Sequence, residues 1–431
     1  MALTRREFLK NGVQLAALGV VAPSFLVKAA YAATEAVPGV SGPGTATNRE
    51  AGSSAPDLSR NVLLVVQLSG GNDGLSTVIP YADSEYYRLR PHLAVPRTQV
   101  LPLTDRVGLH PALTNMRRLY GDGHLAVLEN VGYPNPNRSH FRAMEIWQTA
   151  RPDVNEPTGW LGRLLAAEDC EDRMCRIKGL NIGSSLPRTL YTETTVVPSL
   201  LNINDYQFRT DGRFQADRTA QVDAINKIVS TASAHPGGID DFVRMAALQA
   251  LDSADLLKQI VGPADTNITH QTNPFAEGLK MISKVIQADV GARVFYISLG
   301  GFDTHSQQAR THNQLMSDLD AGISSFYQSL EASGHSDRVM MMTFSEFGRR
   351  AAENASQGTD HGTALPVFLV GGQVKGGFYG TAPDLSHLQD GDVTNQMDFR
   401  SVYSSLLKSW LGVDPSKVIE GSFPLLDFVK S

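Results

Sequence analysis

The chain has 431 residues, of which 42% are hydrophobic and 19% charged, with 38 Lys and Arg against 44 Asp and Glu. It is too apolar and too weakly charged for a disordered chain. Its two cysteines cannot staple such a length, and a net charge of −6 leaves no electrostatic footprint for nucleic acid.

The N-terminus reads as an address. Arg5-Arg6-Glu7-Phe8-Leu9-Lys10 precedes an apolar run over 12–27, and Ala30-Tyr31-Ala32 supplies a small-residue cleavage site. A basic start, an apolar middle and a small-residue end form a secretory signal. The paired arginines followed by Phe and Leu resemble a twin-arginine signal. Residues 1–32 are therefore read as the signal, the translocation machinery as the export partner, and the destination as periplasmic or secreted. Removing them takes the net charge from −6 to −9. Residues 33–60, rich in Ala, Gly, Ser, Thr and Pro, read as a flexible linker. Beyond the signal no apolar run approaches the roughly 20 residues of a membrane span, which points to a large soluble protein with ample core.

From Asn61 the character changes. Residues 61–68 form a nearly continuous apolar run, as expected of a strand buried on both faces. Similar runs recur at 125–130, 293–299, 339–344 and 367–370, with helical patterns between them at 112–119, 142–149, 275–289 and 307–332. Alternating strand and helix predicts one α/β domain over 61–431, with a mostly parallel central sheet flanked by helices. Residues 214–260 show long helical periodicity without a strand and read as a helical insertion. Cys170 and Cys175 can pair in an oxidising compartment. Residues 401–411 predict an amphipathic closing helix.

In an open α/β sheet the ligand site lies beyond the carboxyl ends of the strands. The first strand is followed by Gly70-Gly71-Asn72-Asp73-Gly74, and the run at 293–299 by Gly300-Gly301-Phe302-Asp303-Thr304-His305. The run at 339–344 leads into Ser345-Glu346-Phe347-Gly348-Arg349, with Gly358-Thr359-Asp360-His361-Gly362 shortly after. Carboxylates and neutral imidazoles are ligands for Zn, Mn, Mg or Ca, and crowded carboxylates need a cation to offset their repulsion. These motifs predict a centre for one or two divalent ions drawn from Asp73, Asp303, His305, Glu346, Asp360 and His361. After 125–130 comes an irregular loop ending in Arg138-Ser139-His140. Ser139 suits a helix N-cap; it equally suits a nucleophile or ligand at a helix N-terminus that favours anions. Arg138 and His140 beside it supply groups suited to an oxyanion. His110 is expected to cap a helix beginning at Pro111. The other histidines, His312 among them, read as loop or surface residues.

The runs VLLVVQLSGGNDGLSTVIPY, NRSHFRAMEIWQTA, GGFDTHSQQ, TFSEFGRR and GTDHGTA, in this order, resemble the DUF1501 family. The resemblance spans roughly 61–425 and implies a fold similar to the alkaline phosphatase and sulfatase superfamily. It also implies metal-dependent hydrolysis of phosphate or sulfate esters, on a small anionic or polysaccharide-derived substrate. By motif, Asp73 resembles the bridging metal ligand, Ser139 the nucleophile, and Asp303 with His305 a metal pair. Glu346 resembles the strand-end acid and His361 the last His ligand. The chain departs from that pattern at Phe347, where the superfamily carries a His. The alternative function is a non-catalytic metal- or ligand-binding protein of the periplasm or cell surface.

Overall fold

The computed structural model describes residues 61–168, 177–201, 253, 256–262 and 273–430. The signal, the linker, the cysteine pair and nearly all of the helical insertion lie outside these residues. The chain divides into two compact units, one of residues 1–56 and 198–264 and the other of 57–197 and 265–431. In the smaller unit the described residues comprise a short strand, Ser199–Leu200, and a helical stretch over 256–261.

Beside a small three-stranded sheet (Val78–Ile79, Gly108–Leu109 and Leu101–Pro102), the larger unit is built on one main sheet. Its strands are β1 (Val62–Ser69), β2 (Leu125–Gly132), β3 (Gly179–Ile182), β4 (Val294–Gly300), β5 (Val339–Phe344), β6 (Leu365–Gly371), β7 (Gly377–Tyr379) and β8 (Met397–Asp398). They lie in the order β7-β2-β6-β5-β1-β4-β3, with β8 beside the end of β2. β1 pairs in parallel with β4 and β5, in registers that bring Ser69 opposite Gly300 and Gln67 opposite Phe344. The ends of these three strands are therefore level, and the loops that follow them share one edge.

The expected parallel arrangement holds across most of the sheet, and β6 departs from it. β6 is antiparallel to both β2 and β5. A parallel return needs a long crossover, usually helical. The stretch between β5 and β6 contains no helix among its described residues, so the chain turns back at the same edge. His361 consequently reaches the site from the start of a strand rather than from the end of one.

The three longest of the described helices belong to this unit. α1 (His140–Thr149) follows β2 and buries Ala143, Ile146 and Trp147 against the sheet. Trp147 stacks on Phe399 at 4.5 Å and lies 5.7 Å from Phe344 of β5. α2 (Pro274–Gln287) opens on Asn273, whose side chain accepts from the Phe275 amide, with Pro274 in the first turn. α3 (Gln308–Ala332) carries the chain from β4 to β5, the two strands that flank β1 in parallel.

Two local expectations are corrected. The helix after His110 begins at Thr114, and His110 instead accepts from the Ala112 amide through Nδ1. The closing segment is a short helix, Phe399–Ser405, continued by a π-turn, Leu406–Trp410. It is buried nearly all round, so it is a core element without a polar face. No helix among the described residues is long and apolar enough to cross a membrane.

Candidate metal centre

Four side chains from three loops meet at the shared edge. Asp303 and His305 follow β4, His361 precedes β6, and His140 opens α1. One atom each of His140, Asp303 and His361 lies within 4.8 Å of the others. Asp303 stands 3.6 Å from His140 Nε2, 3.4 Å from His361 Nε2 and 3.1 Å from His305 Nε2. His305 and His361 face each other through their Nε2 atoms at 2.9 Å.

The second nitrogen of each ring decides its chemistry. His140 Nδ1 lies 2.9 Å from Glu346 Oε1, His361 Nδ1 2.8 Å from the Arg138 carbonyl, and His305 Nδ1 3.3 Å from Asp360 Oδ1. Each partner is an acceptor, which favours the tautomer with the proton on Nδ1 and the lone pair on Nε2. Three lone pairs and a carboxylate then converge, an arrangement that repels itself unless a cation or shared proton lies between them. Tetrahedral Zn with bonds of about 2.0–2.1 Å sets its ligand atoms roughly 3.3 Å apart. The Asp303 contacts with His140, His361 and His305, at 3.6, 3.4 and 3.1 Å, lie near that value, although among the described residues only His140, Asp303 and His361 are all mutually within 4.8 Å; acceptors behind ligating histidines are the usual outer partners of a metal. The donor set fits a divalent ion.

Electrostatics favour the charged carboxylate. Burial pushes the Asp303 carboxyl up, but the Arg349 hydrogen bond at 2.8 Å and the nearby positive groups outweigh it and hold the group below its ordinary value. Burial lowers the His361 imidazole and so favours its neutral, ligating form. The Asp303 side chain is 49% exposed and that of His361 23%, so the centre opens to solvent and a substrate can reach it.

Glu346 is buried behind His140, where it also accepts from the Gly70 amide at 2.9 Å. Asp360 stands behind His305 and takes a hydrogen bond from Asn354, which chiefly lowers its carboxyl. Phe347 is buried and packs its ring 4.5 Å from His361 and 4.9 Å from His140, as an apolar wall of the centre. Ser139 stands at the N-cap of α1, but its hydroxyl caps no amide and the residue is exposed. Its flanking residues both touch the centre, Arg138 through its carbonyl and His140 through its ring.

The structure does not bring Asp73 into this cluster. Asp73 is buried and paired with the fully buried Arg90, at 2.6 Å from Oδ2 and 2.9 Å from Oδ1. Burial raises its carboxyl, yet Arg90 overrides this and holds it far below the ordinary range. The arginines are also committed. Arg349 is buried and donates to the carbonyls of Gly70, Gly71, Phe302 and Thr359 as well as to Asp303. Arg142 turns to the 152–155 loop, and Arg138 pairs with buried Asp392.

Sequence reasoning missed His312 as a buried residue. It lies in α3 beside Thr77 and stacks edge-on with His110, and burial pushes its imidazole down to about 4. Its position on the same face as Leu315, Met316 and Leu319 was the available signal.

No curated protein matches. Among solved structures, the chain is similar to the lipoteichoic acid synthase LtaP from Listeria monocytogenes, at 10% identity and a TM-score of 0.37 over 85% of this chain and 76% of that one. It is similar to the PsFucS1 sulfatase from Pseudoalteromonas sp., at 12% identity and a TM-score of 0.38 over 85% and 70% of the two chains. It is also similar to the alkaline phosphatase of the Antarctic bacterium TAB5, at 11% identity and a TM-score of 0.29 over 74% and 94%. The family model of DUF1501, described as a protein of unknown function, matches residues 60–423, and the chain belongs to that family.

Proposed function

We infer that the protein is an exported, metal-dependent hydrolase of phosphate or sulfate esters. The observation that carries this reading is the convergence of three imidazole Nε2 atoms on Asp303, each ring held from behind by an acceptor. His140, Asp303 and His361 would hold the ion, with His305 beside Asp303 and His361. When bound, a divalent ion supplies positive charge that polarises a phosphoryl or sulfuryl oxygen. Ser139 would act as the nucleophile: its hydroxyl is uncommitted, exposed and at a helix N-terminus that favours an anionic substrate. Glu346 and Asp360 would orient His140 and His305 rather than bind the ion themselves. Export would use the twin-arginine pattern of residues 1–32.

A second reading is a metal- or ligand-binding protein without catalysis. It is favoured by the commitment of Arg349 and Arg142 to protein acceptors, which leaves neither to clamp a transferred group. One experiment separates the two. Purified full-length protein is analysed for bound metal and assayed on p-nitrophenyl phosphate and sulfate, beside Asp303→Ala and Ser139→Ala. Bound metal and turnover, both lost in Asp303→Ala and turnover alone lost in Ser139→Ala, support the hydrolase. Bound metal with no turnover supports the binding protein. Turnover that survives chelation in Asp303→Ala overturns the metal reading.

A further inference from the structure

Beneath the centre lies a buried chain of polar groups that the proposed chemistry does not use. Gln308, in the first turn of α3, is 1% exposed. Its Nε2 donates to Asp73 Oδ2. Its Oε1 accepts from Thr304 Oγ1 at 3.0 Å and from Thr359 Oγ1 at 2.6 Å. Thr304 sits between Asp303 and His305, and Thr359 immediately precedes Asp360 and His361. A single amide thus joins both loops that carry the converging groups.

The orientation of that amide is not free. Asp73 is ionised and can only accept, so it must face the NH2 group. The oxygen must then face the two hydroxyls, which donate to it. Asp73 is in turn fixed by Arg90, which also donates to the carbonyls of Ala351 at 2.8 Å and Arg350 at 2.9 Å, and by Ser76 Oγ at 2.7 Å. Oδ2 accepts from Arg90, Ser76 and Gln308 and Oδ1 accepts from Arg90, so a buried guanidinium already balances the carboxylate charge. The two loops also meet through backbone: the Thr359 amide donates to the Thr304 carbonyl at 3.2 Å.

We propose that Gln308, oriented by the Arg90–Asp73 pair, is a positioning residue that clamps the loops of Asp303–His305 and Asp360–His361 in register. Asp73 then serves the centre from behind and is not a ligand. This rests on the metal reading for its consequence but not for its geometry. Outer partners of metal ligands typically change affinity by roughly 10- to 100-fold.

The test uses full-length protein with Gln308→Leu, and compares zinc affinity with amide hydrogen exchange of the metal-free protein. The expected result is zinc binding weakened roughly 10- to 100-fold, with faster exchange in both loops and unchanged exchange in β1 and β4. The double variant Thr304→Ser with Thr359→Ser keeps both hydroxyls and is expected to match wild type. If Gln308→Leu fails to fold, Thr304→Val with Thr359→Val leaves the Asp73 contact intact and carries the same expectation. Unchanged exchange in either loop overturns the clamp, and so does exchange that rises equally across the sheet, which marks a general structural role. If wild type binds no zinc, the metal reading fails by itself and the exchange result alone decides the clamp.

Discussion

His140, His305 and His361 share one arrangement, with Nδ1 held by an acceptor and Nε2 turned toward Asp303. The partner of each ring differs, so their contributions separate experimentally. Glu346→Gln keeps the shape of the side chain behind His140 but removes its charge. Zinc titration should show affinity lowered roughly 10-fold, with the fold retained. Ser139→Ala removes a hydroxyl that caps no amide. Its thermal unfolding should match wild type within about 0.5 kcal/mol, while any ester hydrolysis is lost. Asp303, His305 and His361 were legible as candidate ligands because acids and histidines followed predicted strands. His140 was read instead as an oxyanion contact, since its neighbour Ser139 dominated that stretch. Asp73 was equally prominent in its glycine-rich turn, but nothing local marks Arg90, 17 positions later, as its partner. A long cation can reach any carboxylate that packing brings near it.

At the scale of elements, the centre depends on how α1 and two loops are seated. Trp147 fixes α1 against Phe399 and Phe344 and is almost wholly buried. Trp147→Ala should cost about 3–5 kcal/mol, read as a lowered denaturation midpoint. It should also weaken metal binding, because His140 rides on the same helix. Gly358 lies where a Cβ would come within 2.2 Å of the His305 carbonyl carbon. Gly358→Ala must push the two loops apart, and zinc affinity should fall more than stability does. The strands β1, β2, β4, β5 and β6 were legible as apolar runs. The reversed direction of β6 was not, because an apolar run carries no sign of its direction. β3, β7 and β8 are short and were missed, since two to four residues show no usable period.

At the scale of the molecule, the buried Glu129 of β2 sets a pH dependence. Burial pushes its carboxyl from 4.5 up to about 8, and Oε2 has no hydrogen-bond partner among the described residues. The folded state therefore holds a proton that the unfolded chain has released above 4.5. The stability contributed is complete below pH 4.5 and is lost as pH rises through 8. Glu129→Gln removes this titration. Its stability relative to wild type, from urea denaturation, should rise between pH 5 and 9, and a constant difference would refute the assignment. Metal should act on the whole fold as well, because an ion bound only by the native state stabilises it by mass action. Zinc should raise the melting temperature of the wild type and leave that of Asp303→Ala unchanged.

The sequence alone determined the α/β class, the apolar strands and the edge at which acids and histidines gather, because burial and turn chemistry are local and leave periodic marks. It offered the acids and histidines at that edge as candidate ligands. Only the tertiary structure decided which of them converge: His140 joins Asp303, His305 and His361, Glu346 and Asp360 stand behind them, and Asp73 turns away to Arg90. The physical reason is that the role of a charged or imidazole side chain is set by the partner facing each of its polar atoms. Those partners come from segments that meet only when the sheet is assembled.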